Sequence, residues 1–580
     1  MQLTPSLRTP FWQPGPAPQA AREAVRQKQA RRHRSRLAWS EAAASATAVA
    51  AIGRRVKACR SGRSLRLLPV RATSPGAQQQ EEAADPSPSR FDELPLSAEG
   101  KLAMREGFRY EYQTEVQAKT FRPIAQGSDL VVRAKTGSGK TLSFLLPVMD
   151  TIFRCTDGSA APATIEVLIV SPVRELSMQI SQEAEKLAQY YPGIQSVCMT
   201  GGVPWQEDVK ALDSAGADKA VCLIVTPGRL QTHLSKTPGF AERIAREVRT
   251  LVLDEVDELA GELFRPTMEE IMSALPPPSS RQSLFYSATM SEEVVQLVKK
   301  AAKPEYTYLD LLQGAAISVP DQIEQTYRVV PTEDVTLALW QAVQAAQAQD
   351  DGKPKIVIIF MTGRIAAYYA EAFRKSGSAS DVFEIHARKS QKQRTAQSES
   401  FRAALSGVLF TSDVSSRGLD YPGVTQVVQV GAPHSKDEYI HRLGRTGRAG
   451  NSGRGLLLLH DFEARSFLAE LADLPLVEVK LDSDSAGASE LPDFISMDIP
   501  QNVKAQAYYS RINHVMRNAG DSGVLEILRE AKRFAASIGA LDQDGQPPAI
   551  TEANAVKMGV ADISDPALYI VPTPIDPRSP

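Results

Sequence analysis

Short apolar runs alternate with helical patterns along the first half of the chain. Each run is followed by a turn signal and then by apolar residues at helical spacing. This alternation predicts a parallel β-sheet with helices on its faces, which is an α/β domain. The runs lie at residues 130–132, 167–170, 223–225, 251–253 and 284–285.

A second series of apolar runs follows after a short break. The sequence therefore predicts two α/β domains in tandem, over residues 91–310 and 326–482, with a hinge at 311–325 between them. The runs of the second series lie at residues 355–360, 382–385, 408–410, 427–430 and 455–459.

The pattern becomes helical towards the end of the chain. We expect a small helical extension over residues 483–570 and a Pro-rich tail at 571–580. Five apolar residues share one helical face in this extension: Val524, Leu528, Ala531, Ala535 and Ile538.

Charge is unevenly distributed, which changes the interpretation of the first 80 residues. They hold 15 Lys and Arg against two acidic residues, while the rest of the chain holds 51 against 66. A basic, Arg- and Ala-rich start predicts a disordered organellar transit peptide over 1–80 and a linker at 81–90. A basic tail or an RNA-binding arm is the alternative. The stretch LPVRAT at 68–73 resembles plastid processing sites and favours the chloroplast over the mitochondrion.

Composition excludes several other classes of protein. With 43% hydrophobic and 23% charged residues, most of the chain can bury apolar cores. Cys59, Cys155, Cys198 and Cys222 form no CxxC pair, so neither a disulfide framework nor a zinc site is predicted. The longest apolar run of the leader is about half the length that a membrane span needs, so we expect no membrane anchor.

A glycine-rich segment between the first strand and a helix carries the sharpest chemical signal. Its glycines let backbone N–H groups face phosphates, and the helix N-terminus adds positive potential. Lys140 would reach the β- and γ-phosphates, and the Thr141 hydroxyl would coordinate Mg²⁺. Alanine replaces the usual first glycine of such loops. The segment comprises Ala134, Lys135, Thr136, Gly137, Ser138, Gly139, Lys140 and Thr141.

An acidic pair follows the apolar run at 251–253 and completes this phosphate site. Asp254 is the candidate ligand of Mg²⁺, and Glu255 would orient or deprotonate the attacking water. The alternative is an inert charge pair at a helix N-terminus. The presence of a phosphate-binding loop in the same domain favours the functional interpretation.

The motif Asp254-Glu255-Val256-Asp257 and the phosphate loop resemble those of the DEAD-box RNA helicases, with Val256 in place of the family's Ala. The resemblance covers residues 91–476. It implies two RecA-like domains that bind ATP, Mg²⁺ and RNA, in a monomer. Gln117 would read the adenine edge with its amide donor and acceptor, and Asp420 would lie near the ribose.

The same resemblance assigns coupling residues and RNA contacts. Asp257, Ser287 and Thr289 would couple the ATP site to strand separation. The RNA contacts would be made mostly to sugar and phosphate. They are Arg174, Gly202, Thr226, Pro227, Gly228, Arg229, Arg364, Gln391, Arg394 and Thr411.

Two arginines in the segment 441–448 complete the predicted mechanism. Arg445 and Arg448 would project toward a γ-phosphate held by the other domain, as arginine fingers in cis. Because Lys140, Asp254 and Glu255 lie on the first domain, hydrolysis would require closure across the hinge. RNA that bridges both domains would favour closure and so stimulate hydrolysis.

The extension resembles that of the organellar DEAD-box subfamily that includes mitochondrial splicing chaperones. In that subfamily it packs on the second domain and widens the RNA surface. Here Arg511, Arg517, Lys532 and Arg533 would serve this purpose, with a solvated helix face as the alternative. An ATP-dependent RNA helicase or RNA chaperone is thus the leading prediction. An ATP-gated RNA clamp with little turnover is the first alternative, and a DNA helicase is the second.

Overall fold

The computed structural model describes residues 89–135, 137–156, 164–214, 219–312, 319, 322–379, 381–412, 421–448, 451–480, 492–518, 524–558, 560–561 and 568–571. All of them belong to one compact unit, Pro86–Pro580. The predicted leader, Thr136, Asp420 and the tail beyond residue 571 lie outside the described residues.

The first domain is a seven-stranded parallel sheet with helices on both faces. Its strand order is β3-β4-β2-β5-β6-β1-β7. The strands are β1 (Leu130–Arg133), β2 (Thr164–Val170), β3 (Ile194–Met199), β4 (Ala220–Val225), β5 (Thr250–Asp254), β6 (Gln282–Ser287) and β7 (Thr307–Asp310). The helices are α1 (Ala98–Leu102), α2 (Glu115–Ala125), α3 (Lys140–Cys155), α4 (Arg174–Ala188), α5 (Trp205–Asp213), α6 (Pro227–Lys236), α7 (Phe240–Glu247), α8 (Val256–Leu259), α9 (Arg265–Ala274) and α10 (Glu292–Ala301).

The second domain repeats this plan, and the extension follows it. The strand order of the second parallel sheet is β10-β11-β9-β12-β13-β8-β14. The strands are β8 (Ile323–Val330), β9 (Lys355–Phe360), β10 (Val382–Ile385), β11 (Gly407–Thr411), β12 (Gln426–Val430), β13 (Gly453–His460), β14 (Val477–Glu478), and in the extension β15 (Ile550–Thr551) and β16 (Ile570–Val571). The helices are α11 (Val335–Gln349), α12 (Gly363–Ser376), α13 (Gln391–Ala403), α14 (Lys436–Leu443), α15 (Asp461–Glu470), and in the extension α16 (Gln501–Asn518), α17 (Val524–Ser537) and α18 (Glu552–Met558).

The prediction of two tandem parallel-sheet domains is confirmed. The central strands β4, β5, β9, β11 and β12 are buried along their whole length. Such strands give continuous apolar runs because helices cover both faces of the sheet. In the two large sheets the sequence patterns did not predict β3, β7, β8 and the two-residue β14. The first three mix polar with apolar residues. Strand β8 begins at Ile323, inside the range predicted as hinge.

The extension shares the core of the second domain. One continuous apolar cluster contains Tyr369 and Phe373 of α12 together with Tyr508 of α16 and Phe534 of α17. Helix α16 packs directly on α12. The extension therefore buries apolar residues around α12 that would otherwise be exposed to water, which soluble proteins rarely allow over a large area. None of the helices that the structure describes is long and apolar enough to cross a membrane.

A buried carboxylate fixes α1 against α3 in the first domain. Asp150 is 3% exposed and accepts hydrogen bonds from the Ser97 backbone N–H at 3.0 Å and from the Tyr191 hydroxyl at 3.1 Å. Arg154 forms an ion pair with it at 2.8 Å. The segment that leads to Gln117 is thereby held close to the helix that follows the phosphate loop.

We expect Asp150→Ala to lower the free energy of unfolding by about 3 kcal/mol, because it leaves the groups on Ser97 and Tyr191 buried without an acceptor. Urea unfolding of the full chain measures this difference. Glu106→Ala is the control, since its ion pair with Arg105 is exposed and such pairs contribute about 0–1 kcal/mol. Equal losses in the two variants would contradict the assignment.

Candidate functional site

Parallel strands bring the predicted chemical groups to one edge of the first sheet. The phosphate loop follows β1, Asp254 ends β5 and Ser287 ends β6. Strand β6 lies between β5 and β1 in the sheet. The carboxyl ends of neighbouring parallel strands meet at one edge, which is where open α/β sheets bind ligands.

The phosphate loop has the backbone conformation that its glycines allow. Gly137 and Gly139 have φ angles of 74° and 88°, in the left-handed region. A Cβ atom on Gly139 would lie 2.7 Å from Nε2 of Gln117, so a larger residue would clash there. Ala134, at the unusual first position, is fully buried and its N–H donates to the Ser287 carbonyl at 3.0 Å. Its methyl group therefore fits the local packing.

The remaining loop residues close the turn before α3. The Ser138 hydroxyl donates to the Lys135 carbonyl at 2.8 Å. Helix α3 begins at Lys140, and Thr141 is its second residue. The first N–H groups of this helix are the expected anion site.

Lys140 lies in a buried acidic environment. Its Nζ atom is 3.5 Å from Oε1 of Glu255, and both side chains are buried. Burial lowers the pKa of Lys140, but the carboxylates of Glu255, Asp254 and Asp257 outweigh that effect and raise it above the ordinary value. The ammonium group is therefore charged and held in place for a phosphate ligand.

Asp254 and Glu255 have the environment expected of a catalytic pair. Burial, followed by the neighbouring carboxylate of Glu255, raises the pKa of Asp254 to about 7. The Glu255 N–H donates to Oδ1 of Asp254 at 3.1 Å. Glu255 itself has φ 50° and ψ 57°. A non-glycine residue in this left-handed conformation stores strain, which proteins tolerate mainly at functional sites.

Asp257 links the acidic motif to the second domain. The Ser287 hydroxyl donates to Oδ1 of Asp257 at 3.1 Å. On the other side, Nε2 of His441 from α14 is 3.6 Å from Oδ2 of Asp257. Thr289 is buried two residues after Ser287. The sequence motifs suggested Asp257 and Ser287 as coupling residues but assigned no role to His441, because nothing local relates residues so far apart in the chain.

The two predicted arginine fingers lie on the segment after α14. Nε of Arg445 donates to the His441 carbonyl at 3.3 Å, and Arg445 is 1% exposed. Nε of Arg448 donates to the Gly444 carbonyl at 2.9 Å. A Cβ atom on Gly137 would lie 3.7 Å from Nε of Arg448. The Arg448 side chain therefore packs over the phosphate loop of the other domain.

Gln117 connects α2 to the phosphate loop. Its Oε1 atom accepts the Thr114 N–H at 2.9 Å, and its Nε2 atom donates to the Gly139 carbonyl at 3.3 Å. In this structure the oxygen and the nitrogen of the Gln117 side-chain amide both form hydrogen bonds within the protein. Recognition of adenine by Gln117 would therefore exchange these hydrogen bonds for hydrogen bonds to the base.

Four predicted RNA-contacting residues meet between the two domains. Nη1 of Arg394 forms an ion pair with Oε1 of Glu175 at 2.9 Å. Oε1 of Gln391 accepts from Nη1 of Arg174 at 3.4 Å. A Cβ atom on Gly202 would lie 3.0 Å from Arg174 and 3.1 Å from Gln391. Residues of α4 and α13 thus form one polar cluster across the domain boundary.

Other predicted RNA contacts have internal roles. Arg229 forms an ion pair with Asp208, and its Nη2 donates to the Val203 carbonyl at 2.8 Å. The Thr411 hydroxyl is buried and donates to the Ile385 carbonyl at 2.7 Å. In this structure both side chains support the neighbouring loops from inside the protein, and their contact with RNA stays a prediction.

The remaining predicted RNA contacts lie at the start of α6 and at the start of α12. Thr226 is the N-cap of α6, Pro227 is its first residue, and a Cβ atom on Gly228 would meet no neighbouring atom within 4 Å. Backbone at Gly228 is accessible to a ligand. Arg364 is half-buried, and burial, followed by nearby Arg388, lowers its pKa.

Arg511, which was predicted to contribute to an RNA surface on the extension, is buried in the structure. It is 4% exposed and pairs with Oε1 of Glu530 at 2.6 Å, between the rings of Phe462 and Phe534. Arg511 therefore anchors α16 to its surroundings and does not belong to an RNA surface. Arg533 is exposed on α17, whereas the Arg517 side chain lies outside the described part of the chain.

Comparison with known proteins identifies the family. A family model for DEAD/DEAH box helicases matches residues 114–298, and one for the helicase conserved C-terminal domain matches residues 339–450. DEAD-box ATP-dependent RNA helicase 26 of Oryza sativa subsp. japonica is 35% identical over 481 residues, which cover 82% of this chain and 86% of that protein. The chain belongs to the DEAD-box ATP-dependent RNA helicase family.

Further relatives agree with this assignment. DEAD-box ATP-dependent RNA helicase 25 of the same organism is 33% identical over 482 residues, 82% of this chain and 78% of that protein. Among solved structures, Mss116p bound to single-stranded RNA and AMP-PNP has a TM-score of 0.72 at 24% identity, and covers 84% of this chain and 98% of its own. That likeness supports the tandem RecA-like fold of this DEAD-box helicase.

Val256 is the departure of this DEAD-box helicase from the family's acidic motif. The side chain is fully buried in the apolar cluster on one face of the first sheet and begins α8. The larger residue is therefore accommodated beside the acidic pair.

We expect Val256→Ala to leave kcat within about threefold and to lower the free energy of unfolding by about 1–2 kcal/mol, because it removes two methyl groups from a packed core. Steady-state ATP hydrolysis and urea unfolding measure the two effects. A rise in turnover of about a hundredfold would mean that Val256 overpacks the site.

Proposed function

We propose that this helicase couples RNA-stimulated ATP hydrolysis to local opening of RNA duplexes or to remodelling of ribonucleoproteins. One observation carries the proposal: Arg448 of the second domain packs over Gly137 of the phosphate loop. A guanidinium group there would stabilise charge on the γ-phosphate during hydrolysis. Hydrolysis would then depend on domain contact, and RNA that bridges the domains would favour that contact.

We further propose that Mg²⁺ accompanies ATP, held by the Thr141 hydroxyl and the Asp254 carboxylate. Within the described ranges, no cluster of three or more His, Cys, Asp and Glu side chains would hold a metal by itself. Mg²⁺ fits such a site, because it is usually held by one or two carboxylates together with substrate phosphates and waters. The buried Asp254, with its pKa of about 7, would gain a compensating charge. When bound, the ion would neutralise charge on the phosphates.

The chain's own residues would perform the remaining steps. Lys140 would hold the β- and γ-phosphates, and Glu255 would orient the attacking water or accept its proton. Asp257 would report the state of the ATP site to the second domain through its approach to His441. The polar cluster of Arg174, Gln391 and Arg394 would bind sugar and phosphate and would leave base sequence mostly unread.

ATP hydrolysis by the full chain, with and without single-stranded RNA, tests the proposal. We expect RNA to raise kcat, and single-stranded DNA of the same length to raise it much less. Unwinding of a short RNA duplex with ATP but not with AMP-PNP would support the helicase over the clamp. Retention of RNA in the presence of ATP without turnover would instead establish the clamp.

We also propose that the protein works as a monomer in an organelle, with the chloroplast favoured over the mitochondrion. The basic composition of residues 1–80 and the stretch at 68–73 support this setting. Residues 1–80 fused to a fluorescent protein should enter isolated chloroplasts and be cleaved there. Uptake by mitochondria alone would place the protein in the mitochondrion instead. Uptake by neither organelle would favour the alternative that residues 1–80 are an RNA-binding arm.

The basic face of α17 supports a further prediction for RNA binding. Lys532→Glu with Arg533→Glu should weaken RNA affinity at low salt by about tenfold. The slope of log affinity against log salt concentration should become shallower by about one for each phosphate that the variant no longer binds. Fluorescence anisotropy at several salt concentrations measures both effects. Lys299→Glu, on an exposed position of α10 in the first domain, is the control. Unchanged affinity would mean that this face of α17 is solvated and does not bind RNA.

A further inference from the structure

A buried ion pair joins the first and last turns of the helix that leads to the arginine fingers. Nη2 of Arg442 is 2.8 Å from Oε1 of Glu438, and Arg442 is fully buried. Oε2 of Glu438 accepts the His434 N–H at 2.8 Å. Arg442 lies one turn before Arg445. The two contacts on Glu438 therefore join the last turn of α14, next to the residues that would face the nucleotide, to His434 just before the helix.

A side chain of the extension lies beside His434, the residue whose N–H donates to Glu438. The ring of His514, on α16, lies 6.0 Å from the ring of His434. Arg511, one turn before it on α16, is fixed by its ion pair with Glu530. The Arg511–Glu530 ion pair thus holds α16 without help from α14. Through its contact with His434, the His514 ring then constrains the position of His434.

The electrostatic surroundings require His514 to be neutral. Burial, followed by Arg511, His434 and Arg442, lowers the pKa of His514 to about 3, and Glu438 opposes this shift. A permanent positive charge in the same place would repel Arg442 and compete for Glu438. Such a charge would loosen the ion pair within α14.

We propose that His514 is a positioning residue for ATP hydrolysis. By packing on His434 it holds the Glu438–Arg442 ion pair, and with it the helix that presents Arg445 and Arg448. The inference rests on the proposed function, because it requires that these arginines act on the nucleotide. It gives the extension a part in the chemical step in addition to its part in the core of the second domain.

Three substitutions at His514 in the full chain test the proposal. His514→Ala removes the ring, His514→Phe keeps a neutral ring against His434, and His514→Lys adds a charge beside Arg442. Gln506→Ala, at an exposed position of the same helix, is the matched control. Arg448→Lys reports separately whether the arginine finger acts at all. The measurements are kcat and KM for ATP at saturating RNA, the Kd for RNA, and the unfolding temperature.

We expect kcat to fall about fivefold in His514→Ala and more than about tenfold in His514→Lys, with KM for ATP and Kd for RNA within about twofold of the original values. His514→Phe should restore kcat to within about twofold, as Gln506→Ala should leave it. If His514→Lys does not fold, the comparison of the Ala and Phe variants decides the question.

Two results would overturn the inference while leaving the proposed function intact. One is a kcat that stays unchanged in all His514 variants although Arg448→Lys is inactive. The other is a fall in unfolding temperature and RNA affinity at constant kcat, which would make His514 a structural residue only. If Arg448→Lys is itself fully active, the arginine-finger step of the proposed function fails, and the inference fails with it.

Discussion

Glu255→Gln is expected to lower kcat for RNA-stimulated ATP hydrolysis by about 10²- to 10⁴-fold, the range for loss of a general base. The amide has the shape of the carboxylate and can still accept from Lys140, whose Nζ lies 3.5 Å from Oε1. It cannot accept the proton of the attacking water. ATP binding and ATP-dependent RNA binding should therefore persist.

Single-turnover hydrolysis and RNA retention with ATP measure the two halves of this prediction. Glu262→Gln is the control, since it makes the same chemical change at an exposed position a few residues later. Retention of more than about a tenth of kcat in Glu255→Gln would remove the role of Glu255 as base. The water would then be activated by another group.

Arg448→Lys is expected to lower kcat by about 10³-fold or more, the contribution of an arginine finger. Lysine keeps the charge but lacks the planar fork that binds two phosphate oxygens together. The KM for ATP should change little, because Lys140 and the loop around Gly137 and Gly139 hold the ground state. The position of Arg448 over Gly137 is the physical basis of this expectation.

The same kinetic assay tests Arg448, with Arg465→Lys as its control. Arg465 lies exposed on α15, so its replacement should leave kcat unchanged. Partial activity with a normal dependence on RNA would shift the role of finger to Arg445.

Three of the contacts between the two domains are defined by no single motif. Arg448 reaches the phosphate loop, His441 approaches Asp257, and Arg394 pairs with Glu175. Each contact joins residues that lie far apart in the chain. Together they explain why bound nucleotide would change the affinity for RNA and the reverse, because all three contacts require the same arrangement of the domains.

Local chemistry made the fold class and the phosphate site predictable. Continuous apolar strands, glycines before Lys140 and the acidic pair after β5 each follow from what a strand, an anion-binding helix start or a metal ligand needs within a few residues. The strands β3, β7 and β8 were not predictable in this way. They mix polar with apolar residues, and β3 and β7 are the edge strands of their sheet.

In the extension, the environment of one side chain was likewise not predictable from the local sequence. Helical periodicity predicted α17, but nothing in the local pattern indicated that Arg511 would be buried, because an arginine on a helix is usually solvated. Its burial depends on Glu530 from the next helix and on the rings of Phe462 and Phe534. Burial of an arginine is tolerated only where such partners compensate its charge.

The sequence alone determined two α/β domains, a phosphate loop with Lys140, and the acidic pair Asp254 and Glu255, because these depend on neighbouring residues and on strict local spacing. The tertiary structure alone decided which arginine lies over the loop, which histidine approaches Asp257, and that the extension completes the second core. Those features arise from packing between distant segments. Periodicity along the chain carries no information about such packing, which is set by shape and charge only after both domains have folded.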